Sequence, residues 1–202
     1  MLASLIIEKI RSLNSVPNDK KIRSTLAYFY CKYEDPERNT FLSVARGILA
    51  HLLSQQDDLL QHFYEMSSRS GEIVLNNPTF AKDLLDTALG LCDRAYIVID
   101  GIDECNRGER KEIATFFRTY VQSLSRTECD RVRCLFISQD DGYGRKDFSM
   151  IPSLKITAID NRADIEAYAK AWDAKIRTKF EVDEGFNIQN ALSGAADGES
   201  QC

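Results

Sequence analysis

The sequence predicts an α/β domain, a parallel sheet with helices on both faces. Short β-branched or aromatic runs alternate with longer stretches of helical periodicity, the order that builds βαβ units. Tyr96 to Ile99 is apolar and mostly β-branched, with no polar alternation, as strands covered on both faces are. A length of 202 residues suits one domain, and a hydrophobic fraction of 44% is ample for a core.

The chain opens on a helix, with Leu2, Leu5, Ile6, Ile10 and Leu13 expected on one face. Asn14 to Lys21 is a polar connection containing Pro17 and Asp19. Ser24 to Tyr33, rich in aromatic residues, is expected to be a strand. A turn at Glu34–Asn39 follows, and Asn39 or Thr40 can cap a helix striped by Phe41, Val44, Ala45, Ile48, Leu49, Leu52 and Leu53. A second helical piece covers about Asp57 to Ser67. Thr79 can cap the next helix, which carries Phe80, Leu84, Leu85, Ala88 and Leu91.

After the strand at Tyr96, Asn106–Gly108 is expected to turn into a helix bearing Ile113, Phe116, Phe117, Tyr120 and Leu124. Val132 to Ser138 is a further buried strand, followed by a polar loop from Gln139 to Asp147. Leu154 to Ile159 is expected to be a short strand. Asn161 or Asp164 would open a last helix with Ile165, Tyr168, Trp172 and Ile176 inward. The domain is expected to end near Asp183, with a small, polar and poorly ordered tail over 184–202.

A net charge of −5 without a basic run argues against nucleic acid as a partner. No apolar stretch approaches the roughly 20 residues of a membrane span. Glu8 and Lys9 interrupt the apolar start, which argues against a signal peptide. Six irregularly spaced cysteines are better explained as reduced, mostly buried thiols of a cytoplasmic protein than as a disulfide framework. Zinc is not expected, because Cys129 and Cys134 lack a partner pair and His51 and His62 lack nearby thiols.

The chemistry concentrates at residues 100–104. The buried strand ends in Asp100, then Gly101, then the carboxylates Asp103 and Glu104. Carboxylates at such a strand end are costly unless a cation or water sits there, and open α/β sheets bind ligands at that end. A magnesium–nucleotide site would explain the pattern, with Asp100 holding the metal and Asp103 or Glu104 handling a water. The phosphate cradle of such a site, Gly-x-x-x-x-Gly-Lys-Ser/Thr, does not occur, and the first glycine is Gly47. The opening helix is of the kind that follows such a loop, so the chain is expected to begin just downstream of it.

Taken in this order, the aromatic strand, the long apolar helix and Tyr96-Ile-Val-Ile-Asp-Gly-Ile-Asp-Glu104 resemble a NACHT domain of the STAND class of P-loop NTPases. More narrowly, they are similar to the nephrocystin-3-like module of fungal repeat proteins. Leu135–Asp141 and Ile159–Tyr168 resemble that family's fourth strand and following helix. The resemblance implies a P-loop NTPase-like sheet lacking its first strand and phosphate loop. It also implies a signalling switch that uses Mg2+ with ATP or GTP.

Carried over, Asp100 matches the magnesium ligand, Asp103 and Glu104 the acidic pair of hydrolysis, and Ser138 the residue that senses the γ-phosphate. Where many NACHT domains place an arginine, this chain has Gln139-Asp-Asp141. Losing such a cation costs roughly 10³–10⁵-fold in rate. The chain alone is therefore expected to be inactive or very weak as an NTPase. The missing first strand would lie between the fourth and fifth, so its absence is expected to leave open sheet edges and an aggregation-prone chain.

Two other functions stay open. One is a non-catalytic module that self-associates or docks onto full-length relatives. The other is a metal-dependent phosphodiesterase, weakened by the presence of only one acidic cluster.

Overall fold

The structure is a computed structural model describing residues 2–14, 23–71, 74–139 and 151–179, with Gly142, Lys146 and Phe148. The connection expected at Asn14–Lys21 lies outside these residues from Ser15 onward, as do most of the Gln139–Asp147 loop, the Asp183 boundary and the tail. The chain divides into two compact units, Met1–Ile151 and Pro152–Cys202.

In the first unit, strands β1 (Ser24–Tyr30), β2 (Arg94–Asp100) and β3 (Val132–Ile137) form an open parallel sheet in the order β1-β2-β3. The register aligns Tyr30 with Asp100, and Asp100 with Ile137, so the carboxyl ends of all three strands lie level. Central β2 is apolar on both faces because both are covered. Val98 packs with Leu26 under Ala3 and Ile7 of α1 (Leu2–Asn14). Ala95, Ile97 and Ile99 pack on the opposite face beneath α2 (Phe41–Leu53), α4 (Pro78–Leu91) and α5 (Arg107–Ser123). Helix α3 (Asp58–Ser70) contributes buried Leu59 and ends on left-handed Gly71. Each large side chain buried in this core stabilises by roughly 1.5–3 kcal/mol.

The expected stripe of α2 is the buried one, apart from half-buried Leu53, and Ser43 joins it. Of the two candidate caps, Thr40 serves: its Oγ1 accepts from the Ser43 N–H, and its own N–H donates to Ser43 Oγ, both at 3.1 Å. The Phe41 N–H at the same helix end donates to Glu109 of α5 at 2.6 Å. Gly47 is where α2 comes close to β1, since a Cβ there would lie 2.4 Å from the Phe29 ring.

The two outer edges of the sheet differ. On β1, the Gln55 amide accepts from the Leu26 N–H (3.0 Å) and donates to the Leu26 carbonyl (2.8 Å). The Tyr28 N–H donates to His51 Nδ1 at 3.1 Å. On β3, the carbonyls of Arg131 and Ile137 accept from Ala95 and Gly101 on the β2 side. Alternation therefore turns the backbone groups of Cys134 and Phe136 outward, where no hydrogen bond from a described residue reaches them. Leu135, expected in a buried strand, is 40% exposed.

Several local expectations give way. Helix α1 packs through Ala3 and Ile7, so its inward face is rotated from the expected one and Leu2, Leu5 and Leu13 are exposed. Asn77, not Thr79, caps α4; its side chain accepts from the Thr79 and Phe80 N–H groups, with Pro78 in the first turn where a missing N–H costs nothing. Leu91 of α4 is exposed. Asn106 caps α5, so Arg107 and Gly108 belong to the helix.

In the second unit, residues 152–157 form no strand, and Leu154 stands 89% exposed. Helix α6 (Ala158–Lys179) begins earlier than expected, behind Thr157, whose N–H and Oγ1 donate to Asp160. Among the side chains described on α6, Ala169 is buried, while Tyr168 and Trp172, expected inward, are 54% and 41% exposed; Ile165, also expected inward, lies outside the described side chains.

Candidate functional site

Asp100 is the last residue of the central strand, and its carbonyl accepts from the Cys31 N–H just past the end of β1 at 2.8 Å. Gly101 then reverses the chain at φ +71°, a conformation costly for any residue with a Cβ. A Cβ there would also lie 3.3 Å from the Cys31 carbonyl and from Glu104 Cγ. Ile102 drops fully into the core and anchors a single 3₁₀ turn, Ile102–Glu104, closed by the Glu104 N–H on the Gly101 carbonyl. A buried strand, a glycine and an anchoring isoleucine thus set the acidic residues at the carboxyl edge of the sheet.

The acidic residues are all half-buried, and their side chains take different directions. Asp103 Oδ1 accepts from the Gln139 N–H beyond β3 at 3.1 Å. Glu104 Oε2 accepts from the Tyr33 N–H beyond β1 at 2.8 Å. The turn is thereby tied to both flanking loops. The Asp100 carboxylate, between them, accepts no hydrogen bond from a described residue, which leaves its oxygens available. Ser138 is exposed, and its Oγ donates to the Gln139 carbonyl at 2.8 Å. All four candidates therefore lie at one end of the sheet, in or beside a single acidic turn.

Among the described residues, no three His, Cys, Asp or Glu side chains converge as a metal cage. The donor set suits a different role. Mg2+ is commonly held by one or two carboxylates, with water and phosphate oxygens completing the shell, and an uncommitted Asp100 fits one such position. No described segment forms a glycine-rich phosphate cradle. A groove of about 510 Å³ lies between α4 and α5, lined by Lys82, Glu112 and Phe116 among others, and none of the four candidates borders it.

Sequence inspection missed the two backbone donors, on Tyr33 and Gln139, because nothing in residue type marks an amide that will face a carboxylate. It also missed Arg110, 3% exposed in α5. That position was legible: Arg110 lies three and seven residues before Ile113 and Phe117, on the inward face.

Residues 1–139, α1 through the end of β3, match the family described as Nephrocystin 3, N-terminal. The chain belongs to that family. Its nephrocystin-3-like resemblance, drawn from strand order and the acidic run, is therefore borne out. The chain is also similar to vegetative incompatibility protein HET-E-1 of Podospora anserina, with 27% identity over 112 residues. That alignment covers 52% of this chain and 7% of the relative, so the chain spans a small part of the relative's length. No solved structure matches significantly. The matched residues of the nephrocystin-3 N-terminal family include the acidic turn, Ser138 and Gln139, and exclude α6. Among the described residues, no helix is long and apolar enough to cross a membrane.

Proposed function

We propose that this chain carries the acidic half of a NACHT-type nucleoside-triphosphate switch, with a P-loop NTPase-like sheet. Asp100 would hold Mg2+, Asp103 and Glu104 would orient water, and Ser138 would face the γ-phosphate. The observation that supports this most is the uncommitted Asp100 carboxylate at the carboxyl end of a central parallel strand, where such sheets place ligands. When bound, Mg2+ neutralises charge on the phosphate oxygens. The chain's own contribution is to fix the turn: Gly101 and Ile102 set its path, and Tyr33 and Gln139 hold its carboxylates. Each carboxylate keeps a second oxygen for water, but with no phosphate cradle among the described residues hydrolysis by the chain alone is expected to be very weak. Nucleotide affinity would need a phosphate loop on a strand added beside β3.

A second function is favoured by those same two hydrogen bonds, which already commit Asp103 and Glu104 to holding loops together. In that case the chain is a non-catalytic module that associates with itself or with full-length relatives, and its irregularly spaced cysteines, read as reduced thiols, favour a cytoplasmic setting.

Calorimetric titration of residues 1–202 with Mg·ATP and Mg·GTP separates the two. Saturable binding that is lost in Asp100→Asn, at unchanged melting temperature, supports the switch. No uptake by either protein, together with concentration-dependent association in sedimentation, supports the module.

A further inference from the structure

We propose that the open β3 edge is a homodimer surface, on which two copies pair antiparallel about Leu135 and join their three-stranded sheets into one. It is the contact surface of the self-associating module proposed above and rests on that reading.

The edge is bare and firmly held. The outward groups of Cys134 and Phe136 meet no described partner, unlike those of Leu26 and Tyr28 at the β1 edge. The inward side chains anchor the strand: the Phe136 ring lies 6.3 Å from that of Phe117 and 5.3 Å from that of Phe148. Monomeric proteins blunt such an edge with proline, lysine or a bulge. Val132–Ile137 contains neither proline nor lysine, and its register with β2 runs without interruption. Its one charge, Arg133, is ion-paired with Asp130 of the same chain at 2.8 Å.

The face beside this edge is apolar. Leu135 lies on the face of Val98, its register partner, which is the face that α1 packs on. One flank of α1 turns toward β1, where Arg11 donates to the Tyr28 hydroxyl at 3.2 Å. The opposite flank, with half-buried Ile6 and exposed Leu2, therefore turns toward β3. Ile137 packs half-buried beside Val98, while Leu135 stays 40% exposed.

A second copy fits both the backbone and the charge of this edge. In an antiparallel pair related by a two-fold axis, an outward residue must face an outward residue. A two-fold through Leu135 achieves this, with each Cys134 opposite the second copy's Phe136. It sets the two Leu135 side chains on each other in the close, non-hydrogen-bonded position. Arg133 then faces Ile137, so no like charges stand opposite each other. An axis through Arg133 would oppose two guanidinium groups, and one through Cys134 would set Arg133 on Leu135. Charge and apolar contact together select Leu135.

The test is sedimentation velocity of the full chain over a concentration series, read beside hydrogen exchange of the Cys134 and Phe136 amides. Expected are a monomer–dimer equilibrium and amides whose protection rises with the dimer fraction. Leu135→Lys sets two like charges opposite each other and should weaken dimerisation at least about tenfold. Leu154→Lys, at another exposed leucine, should leave it unchanged. Oxidised Leu135→Cys, with exposed Cys129 changed to serine, should yield a peptide linked through position 135 of both copies. A dimer that survives Leu135→Lys, with both amides exchanging freely, overturns the β3 surface while self-association itself stands. A monomer at every concentration overturns both. Protection of the two amides already in the monomer also overturns the proposal, because the chain then covers the edge itself. The wild-type exchange decides the matter even if a variant folds poorly.

Discussion

The two edges of the sheet have the same backbone chemistry and opposite fates. At β1, Gln55 and His51 reach down from the end of α2 and bond the outward groups of Leu26 and Tyr28. At β3, the outward groups of Cys134 and Phe136 meet no described partner, and Leu135 is 40% exposed beside them. One edge is closed by side chains of its own domain, whereas the other is a template for pairing. The difference shows that an edge is protected by what packs over it: the Ser24–Tyr30 backbone is no less competent to pair than that of Val132–Ile137.

The largest expected effect comes from pushing the protecting helix away. Gly47→Ala places a Cβ 2.4 Å from Phe29, so either the ring swings or α2 retreats. Overpacking of this kind costs about 1–3 kcal/mol, to be read from urea unfolding, and light scattering should rise as the β1 edge opens. Gln55→Ala removes the Leu26 bonds while leaving the helix in place. Its expected cost is about 1 kcal/mol, and unchanged stability would show that water replaces the amide without loss.

His51 gives a pH-dependent version of the same test. Burial, then the nearby Arg11, lowers its pKa below the ordinary 6.5. The neutral ring is the form whose Nδ1 accepts from Tyr28, and the unfolded chain binds the proton more readily. Its contribution is therefore complete above about pH 6.5 and declines as pH falls from there through the lowered folded value. Urea midpoints between pH 8 and 5 should show this decline, and His51→Gln should flatten it.

The smallest stability effect is at the open edge. Leu135→Lys should change unfolding free energy by no more than about 0.5 kcal/mol yet reduce association, because a charge there discourages strand pairing. The unmodified chain should scatter light on heating and lack a cooperative monomeric transition above about 45–65 °C. A high, monomeric transition would mean that the β3 edge is already protected.

What the sequence disclosed follows from how local each signal is. The β-branched run at Tyr96–Ile99 and the stripe from Phe41 to Leu52 report burial directly, and both became central elements. A cap at Asn39 or Thr40 was legible for the same reason, and the structure selects Thr40. The 154–159 segment looked like a strand by composition, but a strand exists only with a neighbour to pair with. Tyr168 and Trp172 looked like core by size, although α6 buries Ala169 instead. At the acidic turn, the position of Asp100 was readable from the strand that delivers it. The directions of Asp103 and Glu104 were not, since the amides that turn them lie 36 and 71 residues away in sequence. The closing of the β1 edge was hidden likewise, because Gln55 and His51 look like ordinary polar residues at a helix end.

Glu109 gives the site one further property. By bonding the Phe41 N–H at 2.6 Å beside the Thr40 cap, it seats the protein's own anion on the positive pole of α2, where an outside phosphate would otherwise be welcome. Any triphosphate brought to this domain must therefore be gripped by amides other than those that open α2.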